Sequence, residues 1–434
     1  MRRSRVLNLV VAALAAAPLL GSGYGVAEQG VQGQGNAGAH IARAEDGSAM
    51  FYNPAGLANM KYSELSFSLV PVLTKSFYSN AGQTTSESEA QVDVLPTLFW
   101  NFKLGGLFLG LGTTTTQNHK VAWNSADFPG RYLSTGSEFR TQEYFGAVAY
   151  SLTDGLRLGA TFRYAQSDFS LFRVQPRPIP SQSFLFYETG QKLSVDGDGF
   201  GATVGLQYSK SRRFSLGLSY QTAIDMDLDG RQTYSLLTRQ DDQRVQDAFG
   251  QTFRDGPVST SFEIPERISI GVSSKVTVRT RVELNLNQER WSVVDRQVFE
   301  SIDAQGNADS RVLDRRWDDA LAIRLGGDFQ QRKALLWRIG LASEEGIVPA
   351  QTLEPGFPDH DRFLYSFGVS YTWHERYIFE AAWLYVQYRD RNVTGQELVY
   401  ADEPPDYSVP TGQGGLLETQ RTHFNLGLRI RFGQ

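Results

Sequence analysis

From about residue 60 onward the chain alternates apolar residues with polar or small ones, the period of a strand with two unlike faces. The last segment shows it most clearly. Phe424, Leu426, Leu428, Ile430 and Phe432 share one face, and His423, Asn425, Gly427, Arg429 and Arg431 share the other. Leu156, Leu158, Ala160, Phe162 and Tyr164 oppose Arg157, Gly159, Thr161 and Arg163 in the same way. Val276, Val278, Val282, Leu284 and Leu286 likewise oppose Arg279, Arg281, Glu283, Asn285 and Asn287. Arginine behind an aliphatic face fits lipid outside and water inside, the repeating signature of a transmembrane barrel. Such segments are expected near 62–73, 90–103, 106–118, 138–151, 155–172, 185–209, 212–230, 257–274, 276–300, 312–329, 334–344, 362–373, 376–395 and 420–433. That makes about fourteen, an even number as single-chain bacterial barrels have.

The connections alternate in length. Tight turns fall at Leu104-Gly105, Thr153-Asp154, Lys210-Ser211, near Lys275, at Gln331-Lys333 and at His374-Glu375. Long polar connections fall near 74–89, 119–137, 173–190, 231–256, 301–311, 345–361 and 396–419. Short turns on one side and long loops on the other match the periplasmic and extracellular ends of an outer-membrane barrel, whereas a soluble sandwich has no reason to sort its loops. An even strand count then brings both barrel termini to the periplasmic side.

Residues 22–61 do not alternate. They are rich in Gly and Ala, and they are expected to form a compact plug, or hatch, in the lumen of a barrel spanning 62–434. Ahead of them, Arg2, Arg3 and Arg5 precede an apolar stretch from Val6 to Leu20 and the small residues Gly21, Ser22 and Gly23. This reads as a signal peptide over 1–21, cleaved between 21 and 23. Loss of three arginines would move the net charge from -5 to about -8. No nucleic-acid-seeking surface remains.

Composition narrows the chemistry further. No later run of about 18 apolar residues exists, so a membrane-spanning chain of this kind has to be a barrel. The 19 Tyr, 27 Phe and 7 Trp with 42 Gly suit a barrel, and the absence of cysteine excludes thiol catalysis and thiolate metal sites. The five histidines, at 40, 119, 360, 374 and 423, show no metal-ligand or nucleophile-base spacing, so neither catalytic residues nor metal nor cofactor is expected. Asp225-Met226-Asp227-Leu228-Asp229-Gly230 matches the start of a calcium loop but carries Leu236 where a bidentate Glu belongs. Strand alternation accounts for it more simply, with Ile224, Met226 and Leu228 outward and the three Asp inward. Arg157, Arg163, Arg279, Arg281, Arg324, Arg338, Arg429 and Arg431 are all expected on inner faces, most of them in ion pairs with acids such as Glu283 and Asp328. Arg324 and Arg338, on adjacent strands, are the candidates to hold a ligand carboxylate bidentately.

Several motifs carry a family resemblance. Gly33-Gln34-Gly35-Asn36-Ala37-Gly38-Ala39, then Ala44-Glu45-Asp46-Gly47-Ser48, then Phe51-Tyr52-Asn53-Pro54-Ala55-Gly56-Leu57, resemble the N-terminal hatch of the FadL/TodX family of outer-membrane fatty acid and hydrocarbon transporters. Ile347-Val348-Pro349-Ala350 followed by Phe357-Pro358-Asp359-His360-Asp361-Arg362 is similar to that family's Pro-x-x-Asp-x-Asp-Arg segment, and Trp291-Ser292 and Trp317-Asp318-Asp319 are weaker echoes. The resemblance implies an all-β, fourteen-stranded barrel with an N-terminal hatch. It implies passive uptake of hydrophobic compounds, long-chain fatty acids or else aromatic hydrocarbons, captured among the loops, passed to an internal pocket and released sideways when the hatch rearranges.

In those terms Gly33, Gly35, Asn36, Asn53, Pro54, Ala55 and Gly56 shape the hatch, and Gly23, Tyr24 and Val26 form its ligand-proximal end. The lateral opening would lie on the third strand, where Gly105, Gly106, Gly110 and Gly112 permit a bulge. Implied partners are the hydrophobic ligand, outer-membrane lipid and lipopolysaccharide, and the barrel assembly machinery, around a monomer in the bacterial outer membrane. The chain departs from the pattern in ending Phe432-Gly433-Gln434, and the family's carboxylate-holding basic residues find no matching positions. A general porin, suggested by the Arg-bearing inner faces, and an adhesin built on the long loops are the alternatives.

Overall fold

The computed structural model describes residues 25–79, 85–179, 182–211, 213–393 and 415–433. The expected signal segment, Gly23 and Tyr24 lie outside these residues. Fourteen antiparallel strands close into one barrel. They are β1 (Ser63–Ser79), β2 (Thr85–Glu87 and Gln91–Leu104), β3 (Leu107–Ala122), β4 (Gly136–Ser151), β5 (Leu156–Ile179), β6 (Gln182–Ser211) and β7 (Phe214–Gln221 and Ile224–Leu236). There follow β8 (Gly256–Ile264 and Arg267–Lys275), β9 (Thr280–Glu289 and Arg296–Ile302), β10 (Ala308–Asp314 and Ala320–Arg332), β11 (Leu335–Glu344), β12 (Arg362–Trp373), β13 (Tyr377–Tyr388 and Arg391–Val393) and β14 (Gly415–Phe432). β14 closes on β1 from Ser63↔Phe432 to Ser79↔Leu416, so the sheet has no terminal edge strand among the described residues.

The burial pattern is that of a soluble protein turned inside out. Leu426 is 66% exposed while Asn425 beside it is fully buried, and Leu284 and Leu286 face outward between the buried Glu283, Asn285 and Asn287. Lipid solvates the outer face, and the lumen must satisfy its polar groups internally. It does so with ion pairs across neighbouring strands. Arg163 meets Glu143 at 2.7 Å, Arg267 meets Glu289 at 2.7 Å, and Arg429 joins Glu380 at 2.6 Å and Glu64 at 3.0 Å.

Three local expectations are corrected. Residues 276–279 form the turn into β9, so Val276, Val278 and Arg279 are turn residues and not part of a membrane face. The expected loop over 173–190 is instead strand: β5 and β6 stay paired from Leu156↔Tyr208 to Ile179↔Gln182 and project as a hairpin beyond the lipid. Their cross-strand pairs keep the ladder going without a membrane around it.

The third correction is the most informative. Ile224, Met226 and Leu228 face inward and Asp225, Asp227 and Asp229 face outward, the reverse of the expectation. The two-residue break at Thr222 and Ala223 changes strand parity: Gly217, Ser219 and Gln221 point into the lumen below it, and even-numbered residues do so above it. β8 does the same at Pro265 and Glu266, switching from Thr260, Phe262 and Ile264 to Arg267, Ser269 and Gly271. A slip of one residue exchanges the faces of everything beyond it. Above the lipid the outer face meets water, so a polar exterior and an apolar lumen become the favourable arrangement.

Residues 25–61 sit inside the lower barrel as a hatch with helices α1 (Gly30–Gly35) and α2 (Ala49–Tyr52) and a 3-10 turn, Pro54–Asn59. Small inward positions on the wall let its backbone come close. A Cβ at Gly340 would lie 2.2 Å from the carbonyl carbon of Asn36, and one at Gly205 would lie 2.1 Å from Asn53 Oδ1. Only glycine fits at such approaches.

Candidate functional site

The lumen above the hatch becomes an apolar chamber, to which the parity changes in β7 and β8 contribute. Above the hatch, inward side chains of β4 to β10 form one apolar cluster in which Phe139, Phe169, Leu193, Met226, Phe262, Phe299 and Leu313 are buried. Phe139 of β4 and Phe262 of β8 meet edge to face at 5.1 Å, linking strands that are not neighbours in the wall. The cluster continues upward into a roof made by Trp123 and Phe128, stacked at 4.6 Å, and by Ile347, Val348, Leu353 and Phe357 of the 345–361 connection.

Polar groups pin that roof. Asp359 accepts from the backbone N–H groups of Ile347 and Val348, and Asp361 accepts from Gly346 at 3.1 Å. Arg391 donates to Val348 O at 2.6 Å, Trp123 Nε1 to Pro355 O at 2.9 Å, and Arg315 pairs with the buried Glu354 at 3.0 Å. Burial raises the Glu354 carboxyl above its ordinary range, with Arg315 opposing. Burial also holds His360 neutral, pushed down to about 3 with Arg391 adding to the shift. The Pro-x-x-Asp-x-Asp-Arg segment is thereby explained physically, because its two carboxylates hold loop N–H groups that would otherwise be buried unpaired.

On one side the chamber wall holds a cavity of about 40 Å³ between Leu171, Leu193, Phe299 and Leu313, with Arg173 and Arg311 beside it. Arg173 donates to Gln191 at 3.2 Å, and Arg311 is 3.6 Å from Asp309. Guanidinium groups next to an apolar hole suit an amphipathic anion.

The hatch is the floor. Arg324 reaches Glu28 at 2.6 Å, the Ala37 carbonyl at 2.8 Å and Glu344; Glu344 also binds Arg362 at 2.6 Å. Arg338 donates to Ser370 at 2.5 Å and lies near Asp328 and Glu380. The two arginines named as carboxylate partners therefore sit at hatch level among protein carboxylates, below the chamber. Asn53 donates to Ile41 O at 2.9 Å and Leu206 O at 3.1 Å and accepts from Ala55 N, with Pro54 opening the 3-10 turn. Asn36 donates to Asp328 at 3.2 Å, Gly33 lies under the Tyr52 hydroxyl, Gly35 against Arg338, and Gly56 against Ala44 O. The hatch-motif residues thus come together as seat and fastening.

At the hatch's N-terminal end Gly25 bridges Gln117 of β3, Val26 N donates to Thr116 O at 2.8 Å, and Gln29 Nε2 donates to Thr115 O at 2.8 Å. Here the ladder between β2 and β3 is interrupted. β2 and β3 are paired only from Leu104↔Leu107 to Leu98↔Thr113. Beyond that, residues 91–97 pair with β1 and β3 continues its ladder with β4, through a register shift between Thr115 and Gln117, until Glu89 N donates to Ala122 O at 2.9 Å. Gly105 and Gly106 make the turn below, while Gly110 packs on Met50 and Gly112 on Phe99. The residues at the parting are Thr114 to Gln117, and a run of four threonines was the available sign of them.

Known proteins of this build were found by sequence and by structure. A family model described as outer membrane protein transport protein (OMPP1/FadL/TodX) matches residues 10–417. The long-chain fatty acid transport protein of Escherichia coli O6:H1 is 23% identical over 287 residues, covering 61% of this chain and 63% of that protein. An outer membrane protein of Neisseria meningitidis serogroup B is 23% identical over 425 residues, 89% of this chain and 90% of that one. Among solved structures, a Pseudomonas aeruginosa FadL homologue superposes with a TM-score of 0.79 at 17% identity, over 95% of this chain and 100% of its own. The P. putida toluene transporter TodX gives 0.74 at 16%, over 96% and 100%. These likenesses establish the same fold.

Proposed function

The chain belongs to the outer membrane protein transport protein family (OMPP1/FadL/TodX), and on that premise we propose that it carries hydrophobic molecules passively across the bacterial outer membrane, long-chain fatty acids first among them. The observation that carries the reading is the apolar chamber enclosed between a pinned roof and a fastened hatch, with a parted wall beside it. A barrel that passed water-soluble solutes would have no use for an apolar lumen.

A ligand caught at the roof would enter the chamber with its chain among Phe139, Phe169 and Phe262 and its carboxylate beside Arg173 and Arg311. Gain of apolar burial drives this step at about 25 cal/mol per Å². Release follows when Gly25 and Val26 leave β3, uncovering the gap between β2 and β3 and a path into the bilayer. No energy source is needed, because transfer runs down a concentration gradient. Aromatic hydrocarbon uptake is the second reading, favoured by the aromatic share of the chamber lining.

The test is uptake of radiolabelled oleate and toluene by cells carrying the gene or lacking it, beside a deletion of residues 22–26. Saturable uptake that slows in the deletion while the barrel still assembles is expected. A knockout with no uptake defect for either compound would sink the proposal. Planar-bilayer conductance separates the porin alternative, since a hatch-filled lumen should show no large, steady open steps.

A further inference from the structure

The wall parts in a second place. β8 and β9 are paired at Val258↔Ser301, Ser259↔Glu300 and Thr260↔Phe299, and again from Arg267↔Glu289 downward. Between these stretches, residues 261–266 of β8 and 290–298 of β9 share no ladder. Thr260 Oγ1 to Val298 O at 2.7 Å and Arg290 N to Glu266 O at 3.2 Å close the two ends. Pro265 removes a donor on one side, and the 3-10 turn Trp291–Val293 carries the chain inward on the other.

A cavity of about 650 Å³ occupies this gap from the outside. Its floor is Met226, Phe262 and Val294, which belong to the chamber lining. Gln297 also faces it, and its buried side-chain nitrogen has no partner among the described residues. The rim carries Asp198, Asp225, Asp227 and Glu263, with Arg296 as its cation. Phe200, 60% exposed, stands on the same rim. Its ring is 5.0 Å from Tyr164, itself 6.0 Å from Tyr144. Such a row of outward-facing rings, Tyr144 and Phe200 exposed and Tyr164 half-buried between them, marks the level where lipid gives way to water. The gap therefore opens at the outer leaflet's headgroup layer, on a wall held shut there by side chains and not by backbone hydrogen bonds.

We propose that this gap is a lateral inlet through which uncharged hydrophobic compounds, already dissolved in the outer leaflet, pass directly into the chamber. The proposal rests on the transport reading and adds a route and a selectivity to it. Four carboxylates against one guanidinium make the rim repel a fatty carboxylate, whereas an uncharged ring meets no such penalty. The compounds would cross by displacing the side chains of Phe262 and Val294. Carboxylates would be left to the roof, and neutral compounds would have two ways in.

The chain has no cysteine, so Val293→Cys, at the cavity's outer edge, can be labelled alone in the assembled barrel with a bulky thiol reagent. Labelling is expected to slow toluene uptake several-fold, whereas the same adduct on Ile302→Cys, exposed on β9 away from the cavity, leaves it unchanged. An inert Val293 adduct overturns the inlet, and so does equal slowing by the Ile302 adduct. In unlabelled protein, Asp225→Asn with Glu263→Gln is expected to raise laurate uptake relative to toluene. An unchanged ratio overturns the selectivity. Wild-type protein that takes up neither compound overturns the transport reading and the inlet with it; wild-type transport with an inert Val293 adduct overturns the inlet alone.

Discussion

Replacing Arg324 with Met tests whether the hatch is held by buried charge. Arg324 is about 1% exposed and joins Glu28 of the hatch to Glu344 of β11, while also donating to the Ala37 carbonyl. Without it, the buried Glu28 loses its cation beside Glu344, which keeps only Arg362. Breaking a buried pair by removing one partner costs about 3–5 kcal/mol. Because β10 keeps its ladder to both neighbours, the cost falls on hatch seating and not on the barrel. Local opening should then rise by roughly two to three and a half orders of magnitude, at about 1.4 kcal/mol per factor of ten.

Val31→Cys, buried in α1, reports opening as the rate of thiol labelling from the periplasmic side. The rate should also depend on pH. Burial already raises the Glu28 carboxyl, with Glu344 adding to the shift and Arg324 opposing it. A group raised on folding contributes stability below its unfolded value and loses it as pH rises through the folded one, so Arg324→Met should label faster at pH 8 than at pH 5. Adding Glu28→Gln, which removes the carboxylate left without a cation while Glu344 keeps Arg362, should restore most of the protection. Labelling of Arg324→Met within a few-fold of the parent, or faster at the lower pH, would refute the argument.

Gly340→Ala puts a methyl carbon 2.2 Å from the Asn36 backbone, and should unseat α1 and raise single-channel conductance while heat-modifiable mobility still reports a closed barrel. Gln29→Ala removes the side-chain ties to Thr115 O and Thr114, each worth about 0.5–1.5 kcal/mol, and should speed ligand release without changing ligand affinity, as stopped-flow fluorescence of a bound fatty acid would read. Asp359→Ala strands the N–H groups of Ile347 and Val348 at about 1–3 kcal/mol each and should make the 345–361 connection the first site of proteolysis. His360 is depressed to about 3 on folding, so its contribution is complete above its unfolded value of 6.5 and is lost as pH falls from there toward 3. Roof proteolysis should accelerate over that window in the parent and less so in His360→Phe.

The strand count, the positions of the periplasmic turns and the hatch segment could be read from the sequence because each is a local, periodic property. Alternation needs only neighbours, turn residues only their own backbone, and Asn53-Pro54-Ala55-Gly56 only its spacing. A lipid-facing strand announces itself by what it cannot place outside. What the sequence could not settle was where lipid ends. Ile224, Met226 and Leu228 have the same side chains whether they face lipid or a dry lumen, and the alternation of β7 looks the same on either side of Thr222 and Ala223.

Only the closed barrel decides, because the two-residue breaks change parity in β7 and β8 and turn an outer apolar stripe into part of the chamber lining. The same holds for Arg324 and Arg338. Sequence placed them inward, but whether a guanidinium meets a ligand or Glu28 depends on forty residues of hatch folded back from the far end of the chain. Partners distant in sequence are set by tertiary contact, and no local pattern encodes them.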